Sequence, residues 1–140
     1  MTKYCIKTHR PGTIYNQPHF FVLNKGLNSG KPLRTDCPNS FVMIFESIAV
    51  TEEYYWMAYS IWQSKYWHVA LVGSVIPFLR INDFSNELTR KTERMLLDFA
   101  RHQNQIRALK LLDEKESFHN ENVKLIKQMR NAILTWYIKA

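Results

Sequence analysis

The sequence predicts an α+β fold in one domain: a small, mainly antiparallel sheet from the N-terminal half, one aromatic helix, and a C-terminal helical hairpin. All four glycines and all five prolines lie at or before Pro77, so residues 78–140 contain neither residue that interrupts helices. The first half is punctuated by turn residues and rich in β-branched and aromatic residues, which favours strands. A length of 140 residues suits a single domain, with a strand-rich part over 1–81 and a helical part over 82–140.

Three strands are predicted in the first part, at Tyr4–His9, His19–Asn24 and Phe41–Glu46. Each is bounded by segments rich in Pro, Gly, Asn and Ser, which form turns because these residues adopt or stabilise turn conformations. A fourth strand is predicted at Val75–Ile81, after a turn containing Gly73.

One helix is predicted between these strands, over residues 51–66. Thr51 is the expected N-cap, with Glu52 and Glu53 in the first turn, where the helix dipole favours negative charge. Tyr55, Tyr59 and Trp62 share one face of this helix.

Two heptad seams predict the C-terminal helices. The first helix is expected to begin after an N-cap at Ser85, and the polar cluster Asp113–Ser117 is the expected break before the second. The first seam consists of Leu88, Thr92, Met95, Phe99, His102, Ile106 and Leu109, and the second of Phe118, Asn122, Leu125, Met129, Ala132 and Trp136.

Composition excludes several classes of protein. Two cysteines cannot form a disulfide framework, and the N-terminal residues carry no apolar run of signal-peptide length, so we expect a cytoplasmic protein with reduced thiols. The longest clean apolar run, residues 54–62, falls short of the ~20 residues that span a bilayer, so no membrane partner is predicted.

A net charge of +7 and an uneven distribution of lysine and arginine suggest nucleic acid as a partner. Among the first 40 residues, Asp36 is the only acidic one. Lysines and arginines neutralise phosphates, and nearby aromatic rings can stack on bases of DNA or RNA. The alternative is that the positive charge serves only solubility and that the aromatic residues belong to the core. The candidate nucleic-acid-binding residues are Lys3, Lys7, Arg10, Lys25, Lys31 and Arg34.

The loop between Gly26 and Lys31 is a candidate phosphate site, because glycines let backbone N–H groups approach an anion. It does not match the nucleotide-binding P-loop, because three residues rather than four separate its glycines and Pro32 follows the lysine. A surface turn with solvated lysines and a contact to a nucleic-acid backbone both remain open.

Protein–protein interaction is the alternative function. The aromatic residues between Tyr54 and Trp67 cover more than one helical face, so some of them pack in the core or lie at an interface. The candidate interaction residues are Tyr55, Tyr59, Trp62, Phe99 and Trp136. A homodimer through the helical seams or the aromatic helix would dissociate on Phe99→Glu or Trp136→Glu.

No catalytic residue, metal site or cofactor is assigned. The spacings typical of zinc sites do not occur, although Cys5, His9 and His19 lie within one stretch. Acidic residues are scarce before residue 82, whereas metal-dependent nucleases and two-carboxylate hydrolases need several. An enzyme is therefore not favoured, and one acting through His68 ranks well behind the two binding functions.

Three stretches carry a resemblance to a known family: KGLNSGKPL at 25–33, CPNSFV at 37–42 and GSVIPFLRI at 73–81. They resemble a family of small uncharacterised bacterial proteins of the Bacteroides kind, found among mobile-element and accessory genes. The resemblance covers residues 10–85 and implies a bacterial, cytoplasmic setting with a DNA-handling or host-interaction role. It also implies that the loops Gly26–Pro32 and Gly73–Pro77 contribute to a shared site.

Overall fold

The computed structural model describes residues 4–139 and confirms the α+β prediction. Lys3, one of the candidate nucleic-acid-binding residues, lies outside the described residues. The chain divides into two compact units, one ending at His102 and one beginning at Gln103. The first unit contains the sheet and its hydrophobic core, and the second consists of helix.

Four antiparallel strands form one sheet in the order β1-β4-β2-β3. The three predicted strands of the first part are confirmed to within one residue at each end. The fourth strand of the sheet, β3, was not predicted, because two residues beginning with proline give no alternating pattern. The strands are β1 Tyr4–Thr8, β2 His19–Leu23, β3 Pro32–Leu33 and β4 Ser40–Phe45.

One face of the sheet carries the main core. Register pairs Phe20 with Met43 and Val22 with Phe41, and all four side chains are buried. Because side chains alternate along a strand, Phe45 extends the same face. The helix Ile48–Gln63, α1, packs its Tyr54 ring 5.4 Å from the Phe45 ring, measured between centroids.

Helix α1 spans Ile48–Gln63, so the predicted helix was placed three residues too late. Ser47 is the N-cap, and its hydroxyl accepts a hydrogen bond from the Val50 amide at 3.2 Å. The predicted cap at Thr51 is wrong: this hydroxyl lies inside the helix and donates back to the Ser47 carbonyl at 2.7 Å. The helix ends before Lys65, which adopts a left-handed conformation with φ of 59°, and a short 3-10 helix follows at Tyr66–Ala70.

The predicted strand Val75–Ile81 is wrong. Only Phe78 forms isolated bridges in this segment, with Val72 and Lys25. Gly73, with φ of +101°, turns the chain, and Pro77 has no N–H to donate to a ladder. This segment therefore crosses the end of β2 as irregular backbone, joined to it by the bridge between Phe78 and Lys25.

The helical half contains α2, Ile81–Met95, and α3, Phe99–Lys139. The predicted N-cap at Ser85 is wrong, since α2 begins one turn earlier. The predicted break at Asp113–Ser117 is also wrong, because Asp, Glu, Lys and Ser there are tolerated on an exposed helix surface. The real break is residues 96–98, where the Asp98 carboxylate accepts a hydrogen bond from the Arg101 amide at 3.1 Å.

Candidate interaction surfaces

The loop from Gly26 to Lys31 is a packed part of the first unit and not a free turn. Ser29 and Gly30 are buried, and the Ser29 hydroxyl donates to the Gly26 carbonyl at 2.6 Å. Four backbone N–H groups of the loop donate hydrogen bonds within the protein. Those of Gly26 and Gly30 donate to the carbonyls of Pro77 and Leu23, at 2.6 and 2.7 Å. Those of Ser29 and Lys31 donate to the carbonyls of Gly26 and Asn28, at 3.2 and 3.1 Å. These four amides are therefore unavailable to a phosphate.

Gly30 explains why this loop needs its second glycine. Its φ is +96°, and a Cβ built there would lie 2.1 Å from the Trp67 Cδ1 atom, well inside van der Waals contact. Trp67 is buried and packs its ring 5.0 Å from that of Phe84. The structure also brings together the two loops singled out by the sequence resemblance, because Gly26 bonds to Pro77. In this structure that hydrogen bond joins the two loops.

The candidate nucleic-acid-binding residues fall into two groups. Lys7 lies on edge strand β1, whereas Lys31 and Arg34 flank β3, the opposite edge of the sheet. Strands are ~4.8 Å apart, so the two edges are separated by about 14 Å. Lys7, Arg10 and Lys25 are exposed. The basic residues are therefore distributed over both edges of the sheet.

Two of the basic residues meet the aromatic helix. The Arg34 guanidinium lies 3.9 Å from the Tyr55 ring centroid and makes two hydrogen bonds to the Glu52 carboxylate, at 2.6 and 3.1 Å. Lys31 Nζ lies 5.1 Å from the Trp62 ring centroid. We call this region the cation–aromatic surface and define it as Lys31, Arg34, Tyr55, Tyr59 and Trp62.

The cation–aromatic surface is partly covered by its own side chains. Tyr55, Tyr59 and Trp62 are each half-buried, as the prediction of one shared face requires. The Tyr59 hydroxyl accepts a hydrogen bond from Gln63 Nε2 at 3.0 Å. Such a surface can stack a planar ligand only if the lysine moves from above the Trp62 ring.

A polar cluster on the opposite face of the sheet escaped the sequence analysis. His9 is buried, its Nδ1 lies 2.9 Å from the Tyr15 hydroxyl, and its Nε2 bonds to the Asp36 carboxylate. The His9 ring packs edge-on to that of Phe21 at 4.8 Å. Because both ring nitrogens are engaged within the protein, the cluster ties the loops before β2 and after β3 to the sheet. Separations of 6 and 27 residues gave no local pattern from which to find it.

A second polar cluster joins the 3-10 helix to α2. The Tyr66 hydroxyl donates to the Glu87 carboxylate, and Arg90 donates to the same carboxylate at 2.7 Å. These hydrogen bonds lower the pKa of Glu87, and the hydrogen bond to Glu87 raises the pKa of Tyr66. A cavity of about 210 Å³ beside it is lined by Ser60, Ile61, Ser64, Tyr66, Lys91 and Met95. It is smaller than the ~300–1,000 Å³ of ordinary ligand sites.

Helix α3 presents a long apolar surface to solvent. Ten large apolar side chains between Leu111 and Trp136 are 47–72% exposed. Eight of them, all except Val123 and Leu134, fall on three adjacent heptad positions of one helix face, a pattern typical of helices that pack in bundles. We call these eight the C-terminal stripe: Leu111, Leu112, Phe118, Leu125, Ile126, Met129, Ile133 and Trp136. Of the two seam residues predicted to interact, Trp136 lies on the stripe, whereas Phe99 is 60% exposed but lies outside its register.

Within residues 4–139, none of the helices has an apolar stretch long enough to cross a membrane. Within the same residues, no three His, Cys, Asp or Glu side chains lie close enough together to hold a metal ion.

Comparison with known proteins identifies a family. A sequence model described as "Family of unknown function (DUF6943)" matches residues 6–136. Because the match covers nearly the whole chain, the chain belongs to this family. The match extends beyond residue 85, where the sequence resemblance ended, and includes most of α3. No curated protein and no solved structure matches the chain.

Proposed function

We propose that this member of the family is a protein-interaction module that self-associates through the C-terminal stripe. The observation that carries the proposal is the exposure of eight large apolar side chains along one face of α3. Contiguous apolar surface of this size on a soluble chain marks an interaction site, because leaving it in water is unfavourable.

The residues of the stripe are not among the core residues. Phe20, Phe45, Trp67 and Phe84 are each at most 2% exposed, whereas every residue of the stripe is exposed. The apolar area of the stripe is therefore open to a partner.

Burial of the stripe is large enough to drive association. Full burial of one large apolar side chain contributes ~1.5–3 kcal/mol, and half that value over eight side chains amounts to about 6–12 kcal/mol per helix. Two helices double this gain, which compares with about 4–15 kcal/mol lost in translational and rotational freedom on association. The balance supports a dimer at micromolar or lower concentration.

Sedimentation equilibrium tests the proposal. We expect a concentration-dependent mass near twice 16.7 kDa for the wild-type protein. Leu125→Glu and Trp136→Glu place a charge on the stripe and should give monomers. Leu134→Glu is the matched control, because Leu134 is 48% exposed on α3 but lies off the stripe. A wild-type monomer at high concentration, or equal loss of dimer with Leu134→Glu, would contradict the proposal.

Nucleic-acid binding is the second candidate, and the observation in its favour is the meeting of Lys31 and Arg34 with aromatic rings in the cation–aromatic surface. Cations that contact phosphates beside rings that stack on bases are the elements of single-strand binding sites. Fluorescence anisotropy with labelled single- and double-stranded DNA and RNA, at low and near-physiological salt, tests it.

A matched pair of lysine variants sharpens this measurement. Lys31→Glu should weaken single-strand binding at the higher salt, whereas Lys7→Glu, at the opposite edge of the sheet, should weaken it less. Binding that vanishes at the higher salt, or equal effects of the two variants, would indicate only nonspecific attraction to a positively charged protein.

The resemblance adds three narrower proposals: a bacterial origin, a cytoplasmic location and an association with mobile or accessory genes. They are compatible with either binding function and depend on no side chain described above.

A further inference from the structure

We infer that the partner of the C-terminal stripe is a second copy of α3 in antiparallel orientation, with the two-fold axis beside Val123 and Lys124. The inference rests on the proposed self-association and names its geometry. It follows from the heptad register of the stripe and from the distribution of charge along the helix.

The heptad register brings the core positions of two helices together in layers. Spacings of four and three residues place Asn122, Met129 and Trp136 at one type of core position, a, and Leu111, Phe118 and Leu125 at the other, d. In an antiparallel pair, each a residue packs in a layer with a d residue of the other helix. With the axis beside Val123 and Lys124, Phe118 packs with the partner's Met129 and Leu111 with the partner's Trp136, while the polar Asn122 lies beside the partner's Leu125.

Flanking apolar residues support the same register. Leu112 and Ile133 lie at the e position beside the core, where antiparallel helices bring e positions together. The axis beside Val123 places Leu112 across from the partner's Ile133. Both side chains are 63% exposed in the single chain and would be covered together.

Lys115 discriminates between the two orientations. It occupies an a position of the same register. In a parallel, in-register pair, Lys115 would face the partner's Lys115 across the core, and two like charges would be partly desolvated together. In the antiparallel pair it lies opposite the partner's Ala132, a small residue past which the lysine stem can extend to water.

Charge along α3 is complementary in the antiparallel orientation. The middle of the helix is acidic, with Asp113, Glu114, Glu116 and Glu121 against Lys115, and the following part is basic, with Lys124, Lys127, Arg130 and Lys139. The axis lies at the boundary between the two parts, so each acidic part faces the partner's basic part. Glu121, at a g position beside the core, then lies across from the partner's Gln128.

Charge at position 128 tests the register. Gln128→Lys would place an ammonium group across from the partner's Glu121, and Gln128→Glu a second carboxylate, twice in each homodimer. We expect the dimer dissociation constants of the two variants to differ about tenfold, with Gln128→Lys the tighter dimer. In a parallel pair, position 128 would lie beside the partner's Ile133, so the sign of the charge should matter little.

Controls use the outer face of the same helix. Asn120→Lys and Asn120→Glu make the same changes in charge at an f position, which points away from a helical partner in either orientation. We expect the dimer dissociation constants of these two variants to differ by no more than about twofold. Equal behaviour of the test and control pairs would overturn the register.

A distance measurement reports the orientation directly. Asp113→Cys in a Cys5→Ser, Cys37→Ser background provides one spin-label site per chain. In the antiparallel dimer the two labels are separated along the helix axis by 21 residues at 1.5 Å each, about 31 Å, to which the width of the pair adds. In a parallel dimer only the width remains, about 20 Å.

The outcomes distinguish the proposed self-association from the antiparallel pairing of the helices. A monomeric wild-type protein overturns the proposed self-association and the inference together. A dimer that Leu125→Glu dissociates, but whose spin labels lie at the short distance, retains the proposed function and overturns the antiparallel pairing alone. A dimer with the long distance, in which Gln128→Lys associates more tightly than Gln128→Glu, supports both.

Discussion

Gly30→Ala is expected to destabilise the first unit strongly, for two reasons that can be separated. An alanine at φ of +96° is strained, which costs about 1–2 kcal/mol. Its Cβ would also lie 2.1 Å from Cδ1 and 2.5 Å from Nε1 of the buried Trp67 indole. Overpacking of this kind costs about 1–3 kcal/mol, because the indole must move against Phe84 and its other neighbours.

The combined cost of Gly30→Ala is thus about 2–5 kcal/mol, a large share of the ~5–15 kcal/mol by which domains are stable. Equilibrium unfolding in urea, followed by tryptophan fluorescence, measures it as a lower transition midpoint at unchanged slope. The loop should open at its contact with Trp67, so the native emission spectrum should change as well.

Gly26→Ala is the matched control, since Gly26 lies in the same loop at φ of +91° with no atom within 4 Å of an added Cβ. It carries the backbone strain without the clash, so we expect a loss of only about 1–2 kcal/mol. Equal destabilisation by the two variants would refute the claim that Trp67 packing is what requires glycine at position 30.

Three further predictions concern single side chains. Burial, followed by the charges of neighbouring groups, raises the pKa of Tyr54 above its ordinary value of 10.0, so the unfolded chain loses this proton first. The stability that this raised pKa contributes is present below about pH 10 and should fall as pH rises through the folded pKa. Tyr54→Phe should flatten that loss in urea unfolding at alkaline pH. Hydrogen bonds from Arg90 and Tyr66 lower the pKa of Glu87. The contribution of this carboxylate to folding stability is therefore present above its unfolded pKa of 4.5 and lost as pH falls through the folded pKa. Glu87→Gln should reduce the acid dependence of the urea unfolding midpoint, and an unchanged pH profile would contradict this. His9→Ala removes a buried ring bonded at both nitrogens and should cost about 2–4 kcal/mol in urea unfolding, whereas a loss below about 0.5 kcal/mol would show that the cluster does not hold its loops.

Local patterns were sufficient to predict much of the fold. The strands Tyr4–Thr8, His19–Leu23 and Ser40–Phe45 stand out because apolar runs lie between turn residues, and α1 because aromatic residues recur at helical spacing. The errors arose where two local signals competed. Glu52 and Glu53 resemble the first turn of a helix, yet Ser47 begins it, because its hydroxyl caps the Val50 amide and Ile48 and Val50 are only mildly unfavourable in a helix.

The candidate sites depended more on tertiary contacts. Lys31 and Arg34 meet Trp62 and Tyr55 because β3 lies beside α1, and no sequence pattern predicted β3. The same limit hid the cluster around His9, whose partners come from different loops. The second helical seam, by contrast, was visible as a heptad pattern, since its spacing is local to one helix. Its exposure could not be predicted, because that depends on what the rest of the chain covers.

Because α3 is continuous through residues 113–117, the proposed antiparallel dimer would fix the distance between the two ends of the helix pair. A helix of 1.5 Å rise per residue places each His102 about 32 Å from an axis beside Val123, so the points where the two chains enter the pair lie about 64 Å apart. The proposed dimer would carry two copies of the first unit and would therefore be bivalent. For a target with repeated sites, the second contact forms at high effective concentration, and avidity can exceed single-site affinity by about 10²–10⁴. A flexible break at Asp113–Ser117 would have removed this constraint on distance.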